Sequence, residues 1–311
     1  MTQFKVTILG SNAAIPAVDR HPSAQVLNVN AHLYLIDCGE GTQMRMNQYD
    51  IRRHRIRQIF ISHLHGDHVF GLIGLLTSYS LNKRTEKLTL FSPKGLQEMI
   101  EVQLKITQSY LSYPLEFIVV DTTTSTEIFS DEAVSVSTLP LLHRIPACGY
   151  LFREHPRPLN VIPEQLKKYG IPFNQINAIK EGKDGVSDKE KQIDNQLLTL
   201  PAYRQRIYAY CSDTMFNPDL ISLLSEVDLL YHEATFAEDK AEQAVKTMHS
   251  TAKQAAEIAA QAKANQLIIG HFSSRYLDLK VLLTEAKTVF SNTSLAIEGQ
   301  TFAVELRRKE R

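Results

Sequence analysis

One segment of six residues constrains this chain more than any other. Residues 63–68 (HLHGDH) place three imidazoles and one carboxylate in a single short stretch. Imidazoles do not gather for packing reasons, whereas zinc takes nitrogen ligands from histidine and oxygen ligands from aspartate. The stretch follows an apolar run at residues 59–61 (IFI) almost directly. We therefore interpret it as a metal-binding loop at the end of a buried strand.

The spacing inside this loop suits two ions better than one. Residues two apart share a face in an extended chain, so His63 and His65 can point towards the same ion. Asp67 and His68 then turn towards a second point. Four ligands do not satisfy two ions, so further ligands must come from elsewhere in the chain.

Three distant residues also follow apolar runs and are candidates to complete the site. His143, Asp213 and His271 each come within three residues of the end of such a run. Polar groups at strand ends are where open α/β sheets form their sites. We assign His63, His65 and His143 to one ion and Asp67, His68 and His271 to the other, with Asp213 bridging the two.

The chemistry that this assignment predicts is hydrolysis. Two ions about 3.5–4 Å apart can clamp both the attacking and the leaving oxygen of a displacement. The bond that is cleaved can be an ester, an amide or a phosphoester, and the ions alone do not distinguish them.

Apolar runs alternate with helical patterns and predict a layered α/β fold. Helical patterns cover residues 68–79 and residues 251–264, and the second begins with a capping box, Thr251 and Gln254. The runs that we interpret as buried strands are residues 4–9, 33–36, 59–61, 207–210, 227–231 and 267–269.

Residues 153–195 interrupt this alternation. The segment contains four prolines and the polar run EGKDGVSDKEKQ, and it is too long for an ordinary connection. Residues 163–169 within it predict a short helix. We interpret 153–195 as an arm inserted into a single domain of residues 1–311; the alternative is a disordered loop without a role.

Composition excludes several classes of partner. The 34 basic and 34 acidic residues leave the chain near neutral, which removes any global attraction to nucleic acid or membrane but permits a local basic patch. Three separated cysteines without a CxxC pair fit a reducing compartment, so we expect a cytoplasmic protein. No apolar run of 18 residues and no signal-peptide pattern is present, so we expect no membrane association. We also expect no organic cofactor.

The motifs resemble those of the metallo-β-lactamase superfamily and, more closely, of its ribonuclease Z family. Residues 62–68 (SHLHGDH) match the superfamily hallmark. The resemblance covers the chain from Val6 to about Phe302. The family match lies in residues 37–43 (DCGEGTQ), 232–235 (HEAT), 249–251 (HST) and 270–276 (GHFSSRY).

This resemblance implies a four-layer αβ/βα sandwich, a homodimer and two zinc ions per subunit. It implies an endoribonuclease that cuts precursor tRNA just after the discriminator nucleotide and leaves a 3′-hydroxyl on the tRNA. Residues 153–195 lie where the family carries a flexible arm that grips the tRNA elbow from the partner subunit.

The resemblance also implies roles beyond the metal ligands. Asp67 is placed to orient or deprotonate the attacking water. His249 is the candidate acid for the leaving 3′-oxygen, with Glu233 holding it charged and oriented; the alternative is a structural salt bridge. The chemistry of their side chains makes Ser273, Ser274 and Arg275 candidate contacts for phosphate oxygens, and Lys167 and Lys168 candidate contacts in the arm; the alternative for Arg275 is an ordinary surface charge.

Two features depart from the family pattern. The arm has Phe173 and Asn174 where many bacterial members have Gly-Pro, and residues 153–194 balance 8 basic against 7 acidic residues. Val18 and His21 stand where many members have Lys and Asn, which leaves open whether precursors that already end in CCA are cut.

Two other functions stay open. One is a different hydrolase of the superfamily, such as a broader phosphodiesterase or a thioesterase. The other is a non-catalytic RNA-binding or scaffold subunit, against which the presence of all seven ligand candidates counts.

Overall fold

The structure is a computed structural model that describes residues 3–17 and 19–308. Val18, one of the two loop residues that depart from the family pattern, lies outside this range. Among the described residues, none of the helices combines the length and the hydrophobicity that a membrane span requires. The strands are β1 (Phe4–Gly10), β2 (Ala24–Val29), β3 (His32–Ile36), β4 (Ile56–Phe60), β5 (Leu88–Ser92), β6 (Leu115–Val119), β7 (Glu127–Ser130), β8 (Val134–Pro140), β9 (Cys148–Glu154), β10 (Asn160–Val161), β11 (Gly185–Val186), β12 (Gln192–Ile193), β13 (Thr199–Leu200), β14 (Ile207–Cys211), β15 (Leu229–Glu233), β16 (Gln266–Gly270), β17 (Thr293–Leu295) and β18 (Thr301–Ala303). The α-helices are α1 (Thr42–Gln48), α2 (Gly66–Val69), α3 (Leu72–Leu81), α4 (Leu96–Ile106), α5 (Pro163–Lys168), α6 (Ile176–Lys180), α7 (Asn195–Leu198), α8 (Leu220–Leu223), α9 (Ala241–Thr247), α10 (Ala252–Gln261) and α11 (Lys280–Val289).

Two seven-stranded sheets form the centre of the first compact unit, which comprises the described residues of 3–153 and Ile207–Val304. The first sheet has the order β18-β1-β2-β3-β4-β5-β6, and the second has the order β17-β16-β15-β14-β9-β8-β7. Strands β3 to β6 run parallel, as do β14 to β17. The predicted sites after β4, β14 and β16 therefore lie at the carboxyl ends of parallel strands, whereas β8, which precedes His143, pairs antiparallel with β7.

The two sheets pack face to face through aromatic side chains. The ring centroid of Phe60 in β4 lies 5.2 Å from that of Tyr150 and 5.2 Å from that of Phe152 in β9. The outer face of the first sheet packs on α3 and α4, and small residues of α10 pack on the outer face of the second. This helix–sheet–sheet–helix order confirms the αβ/βα sandwich that the resemblance implies.

Each predicted strand is present, but the helix predicted over residues 68–79 is wrong in one respect. It is broken into α2 and α3 at Phe70 and Gly71. The N–H of Gly71 donates to the carbonyl of Cys38 at 2.9 Å, and a β-carbon at Gly71 would lie 2.1 Å from the carbonyl oxygen of Gly39. This close backbone crossing interrupts the helix. The second predicted helix is α10, and its capping box at Thr251 is confirmed.

The second compact unit comprises residues 154–206 and the described residues 305–308. It contains residues 154–195 of the predicted arm and has a small apolar core of its own: Ile171, Ile179, Ile193 and Leu198. The short helix predicted over 163–169 is α5. That this segment serves as a substrate-binding arm stays a prediction.

A buried carboxylate stabilises this second unit. The guanidinium of Arg206 donates two hydrogen bonds of 2.9 Å to the two carboxylate oxygens of Glu154, and Arg157 also donates to Glu154. Burial alone would raise the pKa of Glu154, but the two guanidinium groups outweigh it and lower the pKa. A carboxylate with a depressed pKa stabilises the fold above the unfolded pKa of about 4.3, and this contribution is lost as the pH falls through the folded value.

We expect Glu154→Gln to lower the free energy of unfolding by about 3 kcal/mol, because it leaves a buried guanidinium without its counter-charge. Urea denaturation at neutral pH measures this change. The free energy of unfolding of the variant should also decrease less than that of the wild type as the pH is lowered. Glu116→Gln is a matched control, since Glu116 pairs with Lys87 on the surface. Equal effects of the two substitutions would contradict the prediction.

Candidate metal centre

The structure brings all seven predicted ligand side chains together at one edge of the first unit. They come from the loop after β4, from α2, and from the segments that follow β8, β14 and β16. A cavity of about 480 Å³ opens beside them. The donor atoms form two groups, and within each group all of them lie within 4.8 Å of one another. The first group comprises His63, His65, His143 and Asp213, and the second comprises Asp67, His68, Asp213 and His271.

The first group is formed mainly by imidazole nitrogens. Nδ1 of His65 lies 3.1 Å from Nε2 of His63 and 3.2 Å from Nε2 of His143. Oδ2 of Asp213 lies 3.5 Å from Nε2 of His63 and 3.8 Å from Nε2 of His143. Ligand nitrogens about 2.0–2.1 Å from a tetrahedral zinc would be separated by about 3.3 Å. The donor set and its spacing therefore fit a metal ion.

The second group has comparable spacing. Nε2 of His68 lies 3.4 Å from Nε2 of His271. Oδ2 of Asp67 lies 3.5 Å from Nε2 of His68 and 3.3 Å from Nε2 of His271. Two imidazoles and carboxylate oxygens at such separations suit the same class of ion.

Asp213 faces both groups with different oxygens. Its Oδ2 faces His63 and His143, whereas its Oδ1 lies 3.3 Å from Nε2 of His68 and 3.2 Å from Nε2 of His271. The side chain is almost fully buried. One carboxylate can therefore serve both groups.

The remaining nitrogen of most of these imidazoles contacts an oxygen. Such partners fix the tautomer and the ring orientation of a metal-ligating histidine. The pairs are His63 Nδ1 with Ser62 Oγ at 3.0 Å, His68 Nδ1 with Asp37 Oδ2 at 2.7 Å, His143 Nδ1 with the Met248 carbonyl at 3.0 Å, and His271 Nδ1 with Thr235 Oγ1 at 3.0 Å.

Burial sets the protonation of two ligand histidines in a direction that favours a cation; for His68 burial alone would also lower the pKa, but the carboxylates of Asp213, Asp67 and Asp37 raise it well above the ordinary value. Burial lowers the pKa of His143 to about 4 and also lowers the pKa of His63, so both imidazoles are neutral near pH 7. Burial alone would raise the pKa of Asp213, but the surrounding histidines outweigh it and hold the pKa well below its ordinary range. Neutral imidazoles and an ionised carboxylate are the protonation states that ligate metal.

The predicted pair of Glu233 and His249 lies beside this centre. Nδ1 of His249 lies 2.8 Å from Oε1 of Glu233, and its ring is stacked 5.4 Å from that of His271. Burial alone would lower the pKa of His249, but the Glu233 carboxylate raises it to about 9. Glu233, His249 and His271 could also hold an ion, but Nδ1 of each histidine already contacts an oxygen of Glu233 or Thr235.

The predicted substrate contacts differ in their positions. Ser273 and Ser274 line the cavity. Arg275 does not; its Nε donates to Oγ of Ser273 at 3.1 Å, and its guanidinium lies over the ring of Phe236. Lys167 and Lys168 are exposed at the end of α5 in the second unit. Their contacts with substrate stay predictions.

Sequence reasoning missed Asp37 as a site residue. Its buried carboxylate accepts hydrogen bonds from the Ser62 N–H at 2.7 Å, the Ser62 hydroxyl at 2.8 Å and the Tyr210 hydroxyl at 2.7 Å, besides its contact with His68. The available signal was its place directly after the apolar run of β3, which is the signal that identified the distant ligands. Arg144, which follows His143 and lines the cavity, was also missed.

We expect Asp37→Asn to weaken metal binding by about 10- to 100-fold, because the amide cannot hold His68 as the carboxylate does. Asparagine tolerates the positive φ of 55° at this position, so the backbone should be preserved. Asp50→Asn is a matched control, since Asp50 is exposed with a φ of 53°. Metal titration followed by calorimetry measures the effect; unchanged affinity would show that Asp37 does not orient a ligand.

The chain is similar over almost its whole length to known ribonucleases. Ribonuclease Z of Bacteroides fragilis is 46% identical over 299 residues, which cover 96% of this chain and 98% of that protein. Ribonuclease Z of Bacteroides thetaiotaomicron is 43% identical over 304 residues, 98% of this chain and 96% of that one. The crystal structure of the short form of human tRNase Z matches with a TM-score of 0.70 at 27% identity, covering 97% of this chain and 99% of that chain. A family model described as Anti-Pycsar protein Apyc1 matches residues 4–154.

Proposed function

The chain belongs to the ribonuclease Z family, and on that premise we propose that it is a zinc-dependent endoribonuclease that removes the 3′ trailer from precursor tRNA. The proposal includes two zinc ions per subunit, a homodimer and action in the cytoplasm, where the substrate is processed. The observation that carries it is the Asp213 carboxylate, which faces two groups of imidazoles with different oxygens. The proposed ligands are His63, His65 and His143 for one ion, Asp67, His68 and His271 for the other, and Asp213 for both.

Asp67 prepares the attacking water in this proposal. Zinc bound at the two groups would supply Lewis acidity towards the phosphate and lower the pKa of water. Oδ2 of Asp67 accepts a 2.8 Å hydrogen bond from the Ala14 N–H, which fixes the carboxylate at the cavity wall. From there it can accept a hydrogen bond or a proton from the water and aim it at phosphorus.

His249 supplies the proton for the leaving group. It lines the same cavity, and Glu233 holds its Nδ1, so Nε2 is left for the 3′-oxygen of the discriminator ribose. Glu233 is itself fixed by the N–H groups of Thr214 and Thr235, each at 3.0 Å. Asp67 and His249 both lie beside His271: Oδ2 of Asp67 is 3.3 Å from Nε2 of His271, and the ring of His249 is stacked 5.4 Å from the His271 ring.

The decisive test is incubation of an unmodified precursor tRNA with the purified protein, followed by mapping of both product ends. We expect one cut directly after the discriminator, with a 3′-hydroxyl on the tRNA and a 5′-phosphate on the trailer. Hydrolysis of bis-p-nitrophenyl phosphate without a defined cut in the tRNA would instead support a broader phosphodiesterase. Failure to hydrolyse either substrate with zinc present would support a scaffold protein.

Exposed lysines of the second unit support a role for the arm in holding tRNA phosphates. Lys167 and Lys168 are adjacent and exposed in α5. Each phosphate contact adds to the dependence of affinity on salt. Replacing both lysines with alanine should raise KM for precursor tRNA and reduce the slope of log KM against log salt by about one to two. An unchanged slope would remove these two residues from the binding surface.

A further inference from the structure

We infer that Arg144 binds oxygens of an RNA phosphate that flanks the scissile phosphate. Arg144 directly follows the predicted ligand His143. The inference rests on the proposed function and adds to it a contact that positions the RNA strand at the metal centre.

Arg144 supplies positive charge to the cavity beside the metal centre. It is the one lysine or arginine among the described residues that line this cavity. Its side chain is exposed, and in the described part of the chain no carboxylate or carbonyl group bonds its guanidinium. A guanidinium carries five N–H donors in a planar fork that matches two oxygens of a phosphate. An unpaired guanidinium in a cavity that receives an anionic substrate is therefore suited to bind a phosphate.

Two threonine hydroxyl groups of the cavity already donate their protons inside the protein. The Thr235 hydroxyl donates to Oε2 of Glu233 at 2.7 Å, and the Thr247 hydroxyl donates to the carbonyl of Gln243 at 2.8 Å. A hydroxyl group has a single proton to donate, so neither is free to bind a phosphate oxygen in this arrangement. The guanidinium of Arg144 keeps all of its donors for a ligand.

The backbone before Arg144 is anchored on two sides. The N–H of Leu142 donates to Oγ1 of Thr214 at 3.1 Å, and Nδ1 of His143 lies 3.0 Å from the carbonyl of Met248. Thr214 follows the bridging aspartate, and Met248 precedes the candidate acid, so both contacts tie this segment to the reacting groups. A contact made from a fixed backbone loses less conformational freedom on binding.

Depth in the cavity indicates which phosphate Arg144 meets. Asp213 and His271 are each 2% exposed and form the floor of the cavity, whereas the side chain of Arg144 is exposed at its rim. The scissile phosphate must reach the ions at the floor for hydrolysis. A strand that enters through the opening places a neighbouring phosphate closer to the rim. We therefore assign Arg144 to a flanking phosphate and not to the scissile one.

The test measures the coupling between Arg144 and single phosphates. Wild type, Arg144→Ala and Arg144→Lys are assayed on precursor tRNAs that carry one neutral methylphosphonate, either before the discriminator or after the first trailer nucleotide. The matched substrates have a 2′-deoxy phosphodiester at the same linkage. On these charged substrates we expect Arg144→Ala to lower kcat/KM about 10- to 100-fold, the effect of one lost hydrogen-bonded charge contact. Arg144→Lys, which keeps the charge without the planar fork, should restore part of this loss.

The neutral linkages identify the phosphate that Arg144 contacts. At one of the two positions, the methylphosphonate should lower kcat/KM of the wild type by a similar factor and that of Arg144→Ala by almost nothing further. The rate on bis-p-nitrophenyl phosphate, which has no flanking phosphate, should stay near that of the wild type in both variants. Arg52→Ala, which removes an exposed arginine outside the cavity, is the matched control.

Penalties of equal size in wild type and Arg144→Ala at both linkages would overturn the inference. A loss on bis-p-nitrophenyl phosphate as large as that on the precursor would also overturn it, because Arg144 would then act at the scissile phosphate or support the metal centre. If the wild type does not cut the charged precursor, the proposed function fails, and that outcome is distinct from an absence of coupling in an active enzyme. Circular dichroism of each variant confirms that the fold is retained.

Discussion

Asp213→Asn is expected to reduce kcat/KM for precursor tRNA on the order of a thousandfold. Removing one preorganised group that stabilises a transition state lowers the rate about 10²- to 10³-fold. Because Asp213 serves both ligand groups, we expect a loss at the upper end of this range. The amide keeps one oxygen and turns the other into a donor, so it cannot face His63 and His271 with two acceptors. Metal content, measured by mass spectrometry after dialysis, should fall together with the activity.

The activity of this variant on bis-p-nitrophenyl phosphate should fall as well, because both substrates require the same centre. Asp228→Asn is the matched control: Asp228 is buried and accepts from the Ile207 N–H at 2.9 Å, but it belongs to neither group of donors. It should retain the metal content of the wild type. An Asp213→Asn protein with full metal content and activity would contradict the bridging role.

His249→Ala is expected to lower kcat for precursor tRNA by about 10²- to 10⁴-fold, the usual contribution of a positioned general acid. The loss on bis-p-nitrophenyl phosphate should be much smaller, because p-nitrophenolate departs without protonation. Metal content should stay near that of the wild type. The surface variant His54→Ala is the control. Equal losses on both substrates would show that His249 supports the structure of the centre and does not act as the acid.

Glu233 should control the alkaline limb of the rate. With its pKa raised to about 9, His249 keeps its proton at neutral pH, and kcat/KM should fall above about pH 9 as the acid is lost. Glu233→Gln removes the carboxylate that raises this pKa, so the fall should begin at lower pH. A pH–rate profile from pH 6 to about 10 measures both limbs. If the alkaline limb of Glu233→Gln lies at the same pH as that of the wild type, His249 is not the group whose deprotonation lowers the rate.

Local patterns along the chain predicted most of the centre. His63 and His271 each follow an apolar strand, which marked them as ligand candidates. Because β4 and β16 belong to different sheets, their meeting depends on how the two sheets pack, and it was predicted only from the need to complete the ligand set. The placing of Asp213 between two groups was predicted because a carboxylate has two oxygens, which can face different ions. The break between α2 and α3 was not predictable in this way, because it depends on Gly71 meeting Gly39 from another loop.

Contacts between distant segments escaped prediction for the same physical reason. Asp37 contacts Tyr210 across 173 positions, and neither residue signals the other locally. The strands β10 to β13 have two residues each, too short to show any periodicity.

We propose that seven side chains of this protein hold two metal ions, one on either side of Asp213. Anomalous diffraction at the zinc absorption edge, from crystals of the purified protein grown with zinc, tests it most directly. We expect two anomalous peaks per chain, one among His63, His65 and His143 and the other among Asp67, His68 and His271, with Asp213 between them. A single peak, or two peaks that do not share Asp213, would contradict it.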